Sequence, residues 1–339
     1  MSADLRAAWG HLLRMSDSTG LFEHAEGATP RREHGYCVDD VARGLVVLAR
    51  EGALTPQLHR LAENYLAFLC HAQVRTGAIH NRLSFDRRWT DTPGSGDWWG
   101  RALWGLGTLA HRGPDSWLRD QALTRFEISA AHRSPSTRSM AFAALGAAEV
   151  LVRDPAHKAA RRLLADGAAA VGRPSPDPRW PWPEARLFYA NGALPEVLLA
   201  AGHLLDRPAQ VEAGLALLTW LREMETEAGQ LSMTPVGGRA AGDRRPGFDQ
   251  QPIEAAALAD AFARAFAYTG DAEWAEGVRQ CAAWFRGAND AGVPLIDPGT
   301  GGCGDGLGAT EASLNQGAES TLALISTLQH ERALTGPAR

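Results

Sequence analysis

Lysine is almost absent. Lys158 is the one lysine among 34 basic residues, no Lys/Arg block stands out, and 39 acidic residues leave a net charge of −5. That balance lacks the basic footprint of a nucleic-acid partner. Cysteine is sparse too: Cys37, Cys70, Cys281 and Cys303 lie far apart with no CxxC spacing, so reduced thiols and a cytoplasmic location are expected. The start, Met-Ser-Ala-Asp-Leu-Arg, lacks the basic and apolar stretches of a signal peptide. No apolar run approaches the roughly 18 residues of a membrane span. Runs of alternating β-branched residues are scarce, which argues against a core sheet. GxSxG, GxxxxGK[ST] and the EF-hand spacing are all missing, and with them the sequence support for a serine nucleophile, a phosphate loop or a calcium loop. His34, Cys37, His80 and Cys303 show no local ligand spacing. No metal and no cofactor are expected.

What is present is helical period. Apolar residues recur at three and four spacing in about twelve segments, near 2–15, 38–51, 57–72, 97–111, 115–128, 136–152, 157–171, 190–205, 208–226, 250–269, 272–287 and 316–335. Their connections alternate between long and short, except that 129–135 is shorter than its place in the pattern predicts. The short ones carry breakers such as Gly113-Pro114, Asp154-Pro155 and Gly270-Asp271, and short links make antiparallel helix pairs. Six pairs in a ring give an all-α, (α/α)6 toroid over residues 1–339 as one domain; an open superhelix of helix pairs is the alternative. The long loops 16–37, 73–96, 173–189, 227–249 and 288–315 then share one rim and feed the inner helices. Loops longer than about 12–15 residues are usually functional, which puts the site on that rim. The tail, 334–339, is expected to fray.

Each inner-helix start carries chemistry. The first is His34-Gly-Tyr-Cys-Val-Asp-Asp-Val-Ala-Arg43. Asp39 and Asp40 fall in the opening turn, with Arg43 one turn below and His34 and Tyr36 just before. Acids there cap free N–H groups and meet the positive end of the helix dipole, but one acid would satisfy that. Adjacent helical residues point about 100° apart, so two carboxylates would have different surroundings, which separates pKa values as acid/base work requires. Capping with ion pairing and catalysis both fit this pair. Asn81 lies in the next long loop, before Asp97, Trp98 and Arg101 at the second start. Asp97 and Arg101 are spaced to pair, and the tryptophans fit either sugar stacking or loop packing.

Ser134 to Arg138 reads as a helix cap. The fourth start offers Trp182, Glu184, Tyr189 and Asn191, stacking surfaces and hydrogen-bonding groups within a dozen residues. The fifth offers Asp249, Gln250, Gln251 and Glu254. A buried Glu254 with no Lys or Arg nearby in sequence is costly unless solvated or used. The sixth offers Asn315, Gln316 and Glu319, as sugar-hydroxyl ligands or as a cap with its partner.

Four of these segments, His34–Arg43, Gly100-Arg-Ala-Leu-Trp104, Phe248-Asp-Gln-Gln-Pro-Ile-Glu254 and Asn315-Gln-Gly-Ala-Glu-Ser-Thr321, together resemble the six-hairpin glycosidase-type module of bacterial carbohydrate operons, which is also attached to glycosyltransferases. The resemblance spans about residues 8–330 and implies the (α/α)6 fold. More distantly, Asp39-Asp40 is similar to the adjacent aspartates of endo-α-mannanases of glycoside hydrolase family 76. The chain departs from the glycosyltransferase-linked pattern at Val41, where Asn is usual, and at Asp97-Trp-Trp-Gly100, where a Glu-Asp-Ser-His-Gly-like run is usual. Both departures bear on sugar specificity.

The resemblance implies a glycoside hydrolase acting on an oligo- or polysaccharide, with an α-mannosidic substrate in view. Asp39 and Asp40 would be catalytic, with Glu254 in reserve. His34, Tyr36, Arg43, Asn81, Asp97, Trp98, Arg101, Trp182, Glu184, Tyr189, Asn191, Asp249, Gln250, Gln251, Asn315, Gln316 and Glu319 would bind substrate. A sugar epimerase or isomerase, which needs histidines on the cavity floor, and a non-catalytic glycan-binding module are the alternatives.

Overall fold

The computed structural model describes residues 2–335. Twelve α-helices follow one another: α1 (Ala3–Arg14), α2 (Val38–Arg50), α3 (Pro56–Ala72), α4 (Asp97–Arg112), α5 (Ser116–Ser129), α6 (Thr137–Arg153), α7 (Lys158–Val171), α8 (Ala193–Leu204), α9 (Pro208–Met224), α10 (Pro252–Thr269), α11 (Ala272–Phe285) and α12 (Ala318–Thr335). Their starts have local causes. The Thr55 and Ser136 hydroxyls accept the N–H groups of Leu58 and Ser139, and prolines occupy the first turns of α3, α9 and α10, where the missing N–H costs nothing. Gly270 ends α10 in the left-handed conformation.

The even-numbered helices form the inner ring. α2 packs on α4, α4 on α6, α6 on α8, α8 on α10, α10 on α12, and α12 returns to α2. That last contact closes the ring and excludes the open superhelix. Each inner helix is buried on nearly every side, as a helix with neighbours all round must be. The odd-numbered helices lie outside, α3, α5, α7, α9 and α11 against the inner helix before each and α1 against α12.

Where α4 crosses α6, glycines set the separation. A Cβ on Gly107 would stand 2.2 Å from the Gly146 carbonyl oxygen, and one on Gly146 would stand 2.2 Å from that of Leu103.

Three inner helices begin slightly later than their periodicity suggests. Ala190, with φ of 47°, interrupts the fourth; Gln250 pairs with Leu307 by backbone instead of entering α10, and the Gln316 N–H donates to Gly27. The strands are three two-residue ribbons in the loops: β1 (Ala25–Glu26) with β2 (Thr29–Pro30), β3 (Tyr36–Cys37) with β4 (Arg82–Leu83), and β5 (Thr226–Glu227) with β6 (Gln230–Leu231). The β3–β4 pair ties the first two rim loops together just ahead of α2. Leu334 and Thr335, expected to fray, are helical; residues 336–339 lie outside the described residues. Among the described residues no helix is long and apolar enough to cross a membrane.

At the far end of the ring the inner helices are pinned by charge. The Arg50 guanidinium donates to Asp260 at 2.6 Å and to the Ser326 hydroxyl at 2.9 Å, and the His330 ring meets the same Asp260 oxygen at 2.6 Å. One arginine at the end of α2 thereby holds α10 and α12. Arg264 pairs with Glu196 at 2.9 Å, and Glu149 joins His111 and Arg112 at 2.7 and 2.9 Å. A buried ion stripped of its partner is strongly destabilising, so these pairs tie the inner helices together at this end.

Candidate active site

The N-terminal halves of the inner helices surround an axial cavity of about 50 Å³. Asp39 and Asp40 stand on the first turn of α2. Asp40 is buried, and one of its oxygens accepts from Arg43 at 2.6 Å. Arg43 also reaches Glu319 on α12 at 2.7 Å. Asp39 is the more exposed, at 22% of its side chain, and stands 3.4 Å from the Arg101 Nε of α4. Arg101 lies flat against the Phe142 ring, 3.8 Å from its centroid. Asp97 accepts from the Ser139 hydroxyl at 2.6 Å and from the Tyr189 hydroxyl. The expected Asp97–Arg101 pair is not formed; Asp97 is held by α6 instead.

These surroundings separate the two aspartates. Burial raises both above the usual carboxylate range, and Asp40 reaches about 8 even against the pull of Arg43. Asp39 is held back by two guanidiniums, Arg43 and Arg101. Burial would lower Arg43, but Glu319, Asp40 and Asp39 keep it above its ordinary value. Four buried polar atoms here have no hydrogen-bond partner among the described residues: Asp39 Oδ1, Arg43 Nε, Arg101 Nε and Trp104 Nε1. Two of the four, Asp39 Oδ1 and Arg101 Nε, face each other at 3.4 Å as an ion pair.

Glu254 plays a different part from the reserve acid expected. Its Oε1 accepts the Ala190 N–H at 2.5 Å, and its Oε2 accepts the Asn191 N–H at 3.3 Å and side-chain amide at 3.1 Å. Burial and then the Glu225 charge push it up to about 8, against those donors. Both oxygens are engaged, so Glu254 anchors the turn carrying Tyr189. Arg138 completes that turn through the Tyr189 carbonyl at 2.8 Å, Asn191 Oδ1 at 3.1 Å and Glu184 at 3.0 Å. Replacing Glu254 with Ala leaves the Ala190 and Asn191 N–H groups unpaired. At about 1–3 kcal/mol per buried group, a fall in melting temperature of several degrees is expected by calorimetry.

Several residues expected at the cleft are structural instead. Tyr36 is 1% exposed, stacks on Phe22, and its hydroxyl donates to Asp17 at 2.7 Å. Asn81 accepts from the Cys37 thiol at 3.3 Å, and its carbonyl accepts the Val38 N–H. Trp182 is buried against Trp220 of α9, so its ring cannot stack on a sugar. Asn191 is fully buried within the Glu254 turn. Gln250 is fully buried, bonded to Asp290 at 2.6 Å and accepting from Trp284 at 3.3 Å. Gln316 is consumed by Thr300 and Asp297 at 2.6 and 2.8 Å.

Glu184 is shared between Arg138 and the Trp182 indole. Trp98 is half-buried, with its indole N–H fixed on the Ile79 carbonyl at 2.7 Å. His34, Asp249 and Asn315 are exposed; Asn315 accepts from the Gly27 N–H at 3.1 Å, and Gln251 precedes α10 half-buried. Of the expected residues Arg43, Arg101 and Glu319 line the cavity; Asp40 and Asp39 pair with Arg43 and Arg101, and Asp97 is bonded to Tyr189.

The cavity below has a lining that sequence reasoning missed. Its walls include Trp104, Phe142, Ile253, Ala256 and Ala323, and its deep end carries Glu196, Asp260 and Ser326. The signal was available: Glu196 and Asp260 are acids with apolar neighbours on both sides within inner helices.

No family model and no curated protein matches the chain. Solved structures do. A sugar epimerase from a ruminal bacterium matches with a TM-score of 0.72 at 13% identity over 96% of this chain and 98% of that chain. A cellobiose 2-epimerase from Bacillus thermoamylovorans matches at 0.72 and 9% identity over 97% and 98%. An inactive variant of an α-1,6-mannanase from Salegentibacter, with two consecutive aspartates replaced by alanine and α-1,6-mannotetrose bound, matches at 0.65 and 10% identity over 98% and 100%. At such identities the likeness is one of fold: the chain has the (α/α)6 six-hairpin architecture shared by these sugar epimerases and mannanases.

Proposed function

We propose that this protein is a glycoside hydrolase acting on an oligo- or polysaccharide, with α-mannosides first among the substrates to try. The observation that carries this is the Asp39–Asp40 pair on the first turn of α2, two adjacent carboxylates in unlike surroundings, paired with Arg101 and Arg43 of the cavity wall. Asp40, which burial keeps protonated to about pH 8, is the general acid that protonates the leaving oxygen. Asp39, more exposed and faced by two guanidiniums, is the carboxylate that activates water or attacks the sugar carbon. That division is the one glycosidases use. The mannanase inactivated at two consecutive aspartates lends support.

The test is product analysis with the purified protein on mannan, glucan and defined oligosaccharides. New reducing ends from at least one substrate are expected. Conversion of a sugar to an isomer without bond cleavage would make it an epimerase, and saturable binding without any conversion would make it a binding module.

A further inference from the structure

Glu23 stands in the first rim loop, yet its side chain reaches the acid pair. One carboxylate oxygen of Glu23, one of Asp40 and the Cys37 sulfur all lie within 4.8 Å of one another. The fold fixes Glu23 through backbone and side chain alike. Its N–H donates to the Gly35 carbonyl at 3.3 Å, and its carbonyl accepts the Ala318 N–H at 3.0 Å at the start of α12. Its carboxylate accepts from Arg82. The β3–β4 register sets Arg82 opposite Cys37 and so brings that guanidinium to the same spot. The Glu23 side chain is 14% exposed, so water screens its charge little.

A general acid must hold its proton until the leaving oxygen takes it, and Arg43 works against this. A guanidinium at 2.6 Å favours the ionised carboxylate. Burial opposes it first, and then the carboxylates of Glu319, Glu23 and Asp39. Glu319 is 41% exposed and engages Arg43 itself at 2.7 Å; Asp39 is faced by Arg101. The Cys37 thiol donates to Asn81 at 3.3 Å, and the Tyr65 hydroxyl of α3 is bonded to Ser16 at 2.8 Å. Burial keeps both of these uncharged. His24, half exposed, stands 3.6 Å from Glu23. Glu23 is thus the acid closest to Asp40 whose counterion is neither Arg43 nor Arg101.

Resting on the hydrolase reading above, we propose that Glu23 is a positioning residue for the reaction: held by Arg82 against Asp40, its negative charge keeps the proton on Asp40 until the leaving oxygen takes it. Glu23 acts through Asp40 and stays ionised throughout; the proton passes from the Asp40 carboxyl to the leaving oxygen. Glu23→Gln removes that charge and leaves the Arg82 guanidinium uncompensated. Both changes favour an ionised Asp40.

The experiment compares wild type, Glu23→Gln and Glu33→Gln, the last removing an exposed rim carboxylate paired with Arg31. The protein carries aspartate isotope-labelled in its side-chain carboxyl. The Asp40 resonance is assigned by its loss in Asp40→Asn, and its titration midpoint is read by NMR, which needs no activity. A midpoint lower by about one pH unit or more in Glu23→Gln, and unmoved in Glu33→Gln, is expected. The decline of kcat/KM at high pH should move down with it, to a value about tenfold lower than wild type once Asp40 is ionised in both, while the value at low pH is kept. An unmoved midpoint in folded Glu23→Gln would overturn the proposal even if the melting temperature fell, because a residue that only fastens the loop changes stability without moving the Asp40 titration. A midpoint that falls while the pH profile stays in place upholds the hold of Glu23 on the Asp40 proton and overturns the assignment of Asp40 as general acid. If Glu23→Gln does not fold, Glu23→Asp takes its place: the shorter acid withdraws charge from Asp40, a smaller fall is expected, and no fall overturns the proposal.

Discussion

Asp40→Asn is expected to lower kcat/KM by about 10²–10⁴-fold, the usual contribution of a general acid or base. The replacement is nearly isosteric, and Arg43 keeps Glu319 as a partner at 2.7 Å, so the loss would come from the missing proton and not from a collapsed site. Asp39→Asn is expected to fall by a similar factor. The pH dependence separates their roles. With Asp40 protonated up to about 8, the wild-type kcat/KM should decline as pH rises through that value. The same group links stability to pH. Its folded pKa lies above the ordinary value of 3.8, so the folded state retains a proton that the unfolded chain releases. The stability this gives is complete below about pH 4 and is lost as pH climbs toward 8. Asp40→Asn should remove that slope, so its melting temperature relative to wild type should rise between pH 5 and pH 9. Full turnover in both Asn variants would sink the catalytic assignment.

A large effect on stability is expected at Gly107. A Cβ there meets the Gly146 carbonyl oxygen at 2.2 Å and its carbon at 2.7 Å, and backbone on two fully packed helices has nowhere to go. Gly107→Ala must push α4 away from α6. Overpacking of this kind costs about 1–3 kcal/mol and occasionally more, which at roughly 2–4 °C per kcal/mol for a large domain predicts a melting temperature lower by several degrees. Gly52→Ala is the control: its added Cβ meets nothing within 4 Å, and its melting temperature should hardly change. An unchanged melting temperature for Gly107→Ala would mean that the close approach does not set the ring's spacing.

The helices were legible because their signal is periodic and local, and the alternation of long and short links was enough to give antiparallel pairs and a rim. The acid pair was legible for a similar reason, since Asp39 and Asp40 exceed what capping a single helix needs. Side-chain direction was not. Tyr36, Trp182 and Gln250 are polar or aromatic residues in rim loops, the right composition for a sugar site, yet each turns inward to satisfy a partner distant in sequence: Asp17, Trp220 and Asp290. Long loops need internal packing and hydrogen bonds of their own, and the same residue types supply both.

Sequence by itself determined the twelve-helix pattern, the side on which the long loops gather and the carboxylate pair that opens α2. Tertiary structure decided ring closure, by bringing α12 back to α2, and it decided the depth of the axial cavity, by aiming Ala256 and Ala323 at the axis. It also turned Glu254 from a spare acid into the anchor of the Tyr189 turn. The division has one physical cause. Periodicity and capping act within a few residues of chain, whereas burial, which sets the pKa of Asp40, and pairing, which fixes Glu254, arise only where helices remote in sequence meet.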